Sequence, residues 1–243
     1  FSAVTVSDAD ADNVSVAISY TGANGTLSSP TGGLTTNSSG SYTINSTTAA
    51  TAQSKLQALV FTPTPNQVAP ASTVVTFFTL IPNDGKENGI SNASTKITAT
   101  SINDAPTNIA LSSTSVNQSG GANAVVGTLS NTDADTGQTY AYTLVAGAGD
   151  TDNGSFNVSG TNLRASDASL LAAGTYAVRL NVNDGITNFE KAFTITVVDD
   201  VNPTLSSISP ADNATAIAVD SNLVITLNEN VVIGTGDILI KTT

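Results

Sequence analysis

The sequence contains no histidine, cysteine, methionine or tryptophan. Without His and Cys there is no Ser-His-Asp or Cys-His triad, no zinc or haem site of the usual kind, and no disulfide. Basic residues are scarce: 7 Lys and Arg face 19 Asp and Glu, a net charge of −12. Such an acidic surface repels nucleic acid and anionic lipid. No run of 18 apolar residues occurs, so no segment is fit to span a membrane as a helix. Composition therefore disfavours enzymatic, nucleic-acid-binding and membrane-inserted roles.

What is present favours strands. Of 243 residues 40% are apolar, which places the chain among globular proteins of one or two domains. Ser and Thr together number 65; with abundant Val, Gly and Asn they suit strands joined by turns and disfavour helices. Alternation of apolar and polar residues predicts strands at 14–20, 74–81, 95–102, 124–129, 139–145, 175–182, 192–198 and 223–227. Helical spacing appears only at 49–59 and 168–173, read as short helices or 3-10 turns crossing between sheets. Phe1-Ser2-Ala3-Val4-Thr5-Val6 reads as a strand at the very start, and Ile238-Leu239-Ile240-Lys241 as a strand cut short. The expectation is a fragment of a longer polypeptide.

Internal repetition organises the chain. Thr79-Leu80-Ile81-Pro82-Asn83-Asp84-Gly85 is echoed by Arg179-Leu180-Asn181-Val182-Asn183-Asp184-Gly185. Each Asn-Asp-Gly falls between two strands, where glycine supplies the positive φ of a tight hairpin. Each second strand runs into an acidic, proline-ended joint, Asn103-Asp104-Ala105-Pro106 and Asp199-Asp200-Val201-Asn202-Pro203, and the two prolines stand 97 residues apart. That spacing approximates one seven-stranded sandwich. A third echo is Asp8-Ala9-Asp10-Ala11-Asp12 and Asp133-Ala134-Asp135. The expected modules are 1–105, 106–202 and an incomplete third from 203 to 243.

Alternate residues of an extended chain point to one side, so Asp-x-Asp sets two carboxylates on one face, where they repel. Calcium relieves that cost. It accepts six to eight oxygens from carboxylates, backbone carbonyls and Asn side chains, and the acidic joints supply this mixture. The competing reading is that Asp and Asn simply cap turns through their own backbone.

Asp133-x-Asp135, Asn183-Asp184-Gly185 and Asn103-Asp104-Ala105-Pro106 resemble the calcium motifs of cadherin-like domains. More narrowly, the phrase from Val125 to Asp135 resembles bacterial cadherin-like repeats in giant secreted adhesins of the RTX type. Val4-Thr5-Val6-Ser7-Asp8-Ala9-Asp10 looks like a sister repeat. Pro203, Pro210-Ala211-Asp212-Asn213 and Asn228-Glu229-Asn230-Val231 are similar to a bacterial Ig-like type of surface protein. The resemblance implies tandem Ig-like and cadherin-like β-sandwiches, all-β, in a linear array with calcium at the joints. It assigns Asn103 (through an oxygen), Asp104, Asp133, Asp135 and Asp184 to the first joint. Asp8, Asp10 and Asp84 fall to the N-terminal edge, and Asp199, Asp200, Asn202 and Asp167 to the second joint. Two departures point to weak binding: Ser101 stands where the family's first linker Asp would be, and Asn117-Gln118 where an acidic residue is usual. The expected affinity is that of extracellular modules, about 10⁻⁴ to 10⁻³ M.

Other signals are weaker. Thr31-Gly32-Gly33 and Ser119-Gly120-Gly121 lack the Lys of a phosphate-binding loop and read as turns. Phe77-Phe78, Phe189, Phe193, Tyr140 and Tyr142 suit core or sheet-face packing better than a sugar platform. Paired carboxylates serve glycosidases too, but here they fall at joints without aromatic or cationic neighbours. The functional expectation is a non-catalytic, extracellular spacer of a bacterial surface protein, its partners being neighbouring modules. A glycan or protein on a cell would be reached through parts outside this sequence. A sugar- or protein-binding module and a self-assembling filament subunit are the alternatives. Calcium would then do the stapling that disulfides do in other secreted modules.

Overall fold

The computed structural model describes residues 1–229 and 231. The strand expected at Ile238–Lys241, and Asn230, lie outside the described residues. The chain falls into two compact units. The first comprises Phe1–Leu111, Leu129–Val145 and Arg179–Lys191; the second comprises Ser112–Thr128, Ala146–Val178 and Ala192–Thr243.

The first hundred residues form one five-stranded antiparallel sheet. Its strands are β1 (Val14–Ser19), β3 (Leu34–Ser38), β4 (Ser41–Thr47), β6 (Thr73–Asn83) and β7 (Asn92–Thr100), in the order β3-β4-β1-β6-β7. A second, smaller pair joins β2 (Gly25–Ser28) to β5 (Val60–Pro63). Helix α1 (Ala49–Gln57) connects β4 to β5, so it crosses from one sheet to the other. It starts where Thr48 Oγ1 accepts the Thr51 N–H, an N-cap. Its buried residues, Ala52 and Leu56, are four apart and share one face. The core sets Val16, Ile18, Ile44 and Phe78 from the sheet against Ala52 and Leu56 from the helix and Leu27 from the small pair. Phe1, Tyr20 and Phe61 pack their rings on Phe78 at centroid distances of 5.1 to 5.2 Å. Here a helix and a two-stranded ribbon supply the layer that a second full sheet provides in an Ig-type sandwich.

The strand expected at Phe1–Val6 does not form. Gln53 Oε1 accepts the Val6 N–H and Gln57 Nε2 donates to the Val4 carbonyl. Two α1 side chains thus satisfy the backbone that a neighbouring strand would otherwise pair, while Phe1, Val4 and Val6 still pack on the core.

Residues 108–198 carry two four-stranded sheets. One has the order β12 (Phe156–Ser159), β13 (Asn162–Ala165), β10 (Val125–Thr132), β8 (Asn108–Leu111). The other is β11 (Ala141–Leu144), β14 (Gly174–Asn183), β15 (Asn188–Val198), β9 (Ser115–Asn117). Lettered in chain order these are D-E-B-A and C-F-G-A′, the strand order of an Ig-type sandwich. The first strand is split: β8 pairs antiparallel with β10, and β9 pairs parallel with β15. Alternation buries one face of each sheet, with Val126, Leu129 and Leu163 on one and Val178, Leu180, Val182, Ile195 and Val197 on the other. The crossing expected at 168–173 is a 3-10 turn over Ala168–Leu170, between β13 and β14. Beyond Pro203, β16 (Leu205–Ser209) pairs antiparallel with β17 (Val224–Leu227).

Candidate functional site

Both Asn-Asp-Gly sequences are hairpin turns, as expected, and they are built alike. Gly85 and Gly185 take φ of 90° and 97°, the left-handed region that a side chain resists. In each, the Asn side-chain oxygen accepts the Gly N–H at 2.8 Å. In each, the Asp Oδ1 accepts the next two N–H groups, Lys86 and Glu87 in one turn, Ile186 and Thr187 in the other. The two Asp-x-Asp runs match as well: Asp8 Oδ1 accepts the Asp10 N–H, and Asp133 Oδ1 the Asp135 N–H, both at 3.0 Å. The turn-capping chemistry read from the sequence is therefore real at each position.

Around Asp184 the capping is the beginning of a network within the first compact unit. Asn103 Nδ2 donates to Asp184 Oδ2 at 3.0 Å, and Asp135 Oδ2 accepts the Asp104 N–H at 2.7 Å. All five residues assigned to the first joint are thus brought together. Asp135 and Asp184 are buried, 7% and 5% exposed. Burial pushes the Asp184 carboxyl up, but the Thr187 N–H, the Asn103 amide, the Thr187 hydroxyl and the Ile186 N–H outweigh it. The carboxyl is held well below the usual range. Close by, burial and then the charge of Asp133 push the Tyr140 hydroxyl up.

Two oxygens of this cluster, Asp133 Oδ2 and Asp135 Oδ1, are buried without any hydrogen-bond partner. A buried carboxylate oxygen left unpaired is costly. The ion pairs of the described residues lie elsewhere, at Lys86 and Arg179. Nevertheless, no group of three or more Asp, Glu, His or Cys among the described residues is arranged as a ready metal cage. The Asn103 side-chain oxygen accepts Gln138 Nε2 at 2.6 Å while its Nδ2 donates to Asp184, so Asn103 ties the linker to Asp184. A cation here would draw on Asp133 and Asp135, with Asp104 and neutral oxygens nearby. Hard divalent ions accept that mixture of donors.

The sequence reading missed Gln138, Thr187 and Asn66. Thr187 Oγ1 donates to Asp184 Oδ2 at 2.7 Å, and Asn66 Nδ2 to Asp104 Oδ2 at 3.0 Å. Thr187 was accessible as the residue three after the hairpin Asp; nothing in the local sequence marks Asn66, which a turn of β-strand connections brings across 38 positions.

The other two predicted clusters differ. At the N-terminal edge, Asp8, Asp10 and Asp84 are joined by Asp12 and by a cation already present, Lys86, whose Nζ lies 2.5 Å from Asp12 Oδ2 and 4.0 Å from Asp10 Oδ2. In the second compact unit, Asp200 accepts the Ser119 N–H and hydroxyl, which lowers its carboxyl. Asp199 accepts the Val201 N–H, and Asp167 caps its own 3-10 turn at Ser169. Each is used locally, and no hydrogen bond links Asp167 to Asp199, Asp200 or Asn202 among the described residues.

Residues 199–242 match a family model described as a bacterial Ig-like domain. No curated protein matches the chain. Among solved structures, the chain is similar to protocadherin gamma B2 extracellular cadherin domains 3–6 at 14% identity and a TM-score of 0.40, covering 80% of this chain and 44% of that one. It is also similar to human protocadherin-24 EC1-2 (14%, TM-score 0.36, 82% and 87% covered). Drosophila N-cadherin EC1-4 is comparable (14%, TM-score 0.36, 84% and 46%). The chain thus spans under half the length of the first of these. The sandwich assignment rests on the strand order given above. Among the described residues no helix is long and apolar enough to cross a membrane.

Proposed function

We propose that this chain is a non-catalytic, extracellular spacer segment of a bacterial surface protein, and that calcium stiffens the joint around Asn103 and Asp104. The observation that supports this most is the pair of buried, unpartnered oxygens on Asp133 and Asp135, two residues apart in one turn. A divalent cation would satisfy both oxygens and cancel the repulsion between them. The Ig-like match at 199–242 and the Ig-type strand order of 108–198 support a chain of sandwiches in series. In this reading Asp133 and Asp135 hold the ion directly, Asp104 and Asp184 add charge, and Asn103 and Gln138 hold the linker in register. When bound, the ion supplies cross-linking charge and no chemistry.

Small-angle scattering on the 243-residue chain tests the role. In calcium the particle is longer and has a narrower distribution of shapes than in chelator. A particle of identical shape in both, with Asp104→Ala and Asp135→Ala also unchanged, would remove calcium stiffening from the account. A strip of exposed aromatics would have favoured a sugar-binding module. Phe77, 57% exposed, has Lys96 Nζ 5.9 Å from its ring centre and stacks on no other ring among the described residues, so the spacer reading is preferred.

A further inference from the structure

The two repeats carry matching hairpins and matching Asp-x-Asp turns, and this makes their differences informative. In the second repeat the residue after Asn183-Asp184-Gly185 is Ile186, 63% exposed. In the first repeat the same place is Lys86, and its ammonium reaches Asp12 at 2.5 Å and Asp10 at 4.0 Å. The partner changes with it. Two residues after the Asp-x-Asp run stands Asp12 in the first repeat, and Gly137 in the second. Asp12 and Lys86 therefore come as a pair, and both are missing together from the other repeat. The hydrogen bond to Asp12, the charge of Asp12 and the smaller contributions of Asp84 and Asp8 all favour the charged form of the ammonium. The two clusters also differ in exposure: Asp10 and Asp12 are 75% and 40% exposed and are within reach of the ammonium, whereas Asp133 and Asp135 each bury one oxygen without a partner.

We infer that Lys86 is a tethered counterion that stands where a divalent cation would sit, so that the N-terminal cluster works without calcium while the cluster at Asp133 and Asp135 requires it. The residue following Asn-Asp-Gly is then the selector between a built-in cation and a free one. An ammonium is a compact point charge on a flexible stem. It offsets part of the negative charge of one carboxylate cluster at its own module and, unlike a shared ion, cannot be withdrawn by chelation. The assignment of calcium to the second cluster rests on the reading proposed above; the assignment of Lys86 does not.

Calcium titration of the full 243-residue chain by calorimetry at fixed ionic strength tests the inference with Lys86→Ile and Ile186→Lys. Both positions are exposed, 65% and 63%, so neither exchange disturbs packing, and Lys86→Gln removes the charge while keeping a long polar side chain. The expected result is one additional calcium bound by K86I and by K86Q, and at least a tenfold weaker calcium affinity in I186K. Failure of the lysine variants to take up a further ion, or wild-type affinity in I186K, would overturn the inference. If the wild-type chain bound no calcium, the spacer mechanism would fall but K86I would still decide this point. A gained ion supports the tethered counterion, and none refutes it.

Discussion

Replacing Asp135 by Asn should change sign with calcium. Asp135 is 7% exposed; its Oδ2 holds the Asp104 N–H at 2.7 Å and its Oδ1 has no partner. Asparagine keeps an acceptor for Asp104 and removes the charge. In chelator the wild type bears a buried unpaired anionic oxygen, at a cost of about 1–3 kcal/mol. The loss of one charge-assisted hydrogen bond in the variant offsets about 1 kcal/mol of that. D135N should therefore be as stable as the wild type in chelator, or more stable by up to about 2 kcal/mol. In 10 mM calcium, with a dissociation constant of about 10⁻⁴ to 10⁻³ M, the wild type gains about 1.4–2.7 kcal/mol that the variant forgoes. For a unit of about 100 residues this is a calcium response roughly 6–20 °C larger in the wild type. Differential scanning calorimetry of both chains in both buffers reads it directly. If D135N lowered the melting temperature equally with and without calcium, Asp135 would be an ordinary turn acceptor and the cation argument would be wrong.

Asp184→Ala strips the acceptor from two N–H groups, a hydroxyl and the Asn103 amide; urea unfolding in chelator should show a loss of roughly 3 kcal/mol. Because the Asp184 carboxyl is held below its usual range, its contribution is complete above its unfolded value of about 3.9 and is lost as pH falls through the native value. Acid titration of stability should thus be flatter below pH 4 in D184N than in the wild type. Phe78→Ala, at a fully buried ring contacted by three others, should cost about 3–5 kcal/mol. Phe77→Ala, next to it on the exposed face, should stay within about 0.5 kcal/mol, and a thermal melt of the pair separates core from surface.

Much of this architecture could be read from period-two alternation. The long strands β6, β14 and β15 were visible because Val, Ile, Leu and Phe recur on their buried faces. The short strands β3, β12 and β13 were not: Leu34-Thr35-Thr36-Asn37-Ser38 carries one apolar residue and Asn162-Leu163-Arg164-Ala165 too little pattern to register. The start of the chain misled because Phe1, Val4 and Val6 do pack inward, yet Gln53 and Gln57 on α1 take the backbone bonds. That competition between side chain and strand spans about fifty residues and leaves no local trace. At the site, spacing brought Asp133, Asp135 and Asp184 to notice because turn chemistry is local. The role of Asn103 as a brace, and the arrival of Lys86 among Asp8, Asp10 and Asp12, depend on side-chain reach across the fold.

The most direct test of the account is the melting temperature of the 243-residue chain in calcium and in chelator at matched ionic strength, with magnesium as the control ion. Calcium held by Asp133 and Asp135 raises that temperature, and magnesium reproduces the rise weakly at best, since magnesium demands tighter octahedral geometry and gives up water reluctantly. Equal melting temperatures in all three buffers would show that the oxygens of Asp133 and Asp135 do not recruit a cation, and would contradict the account at its centre.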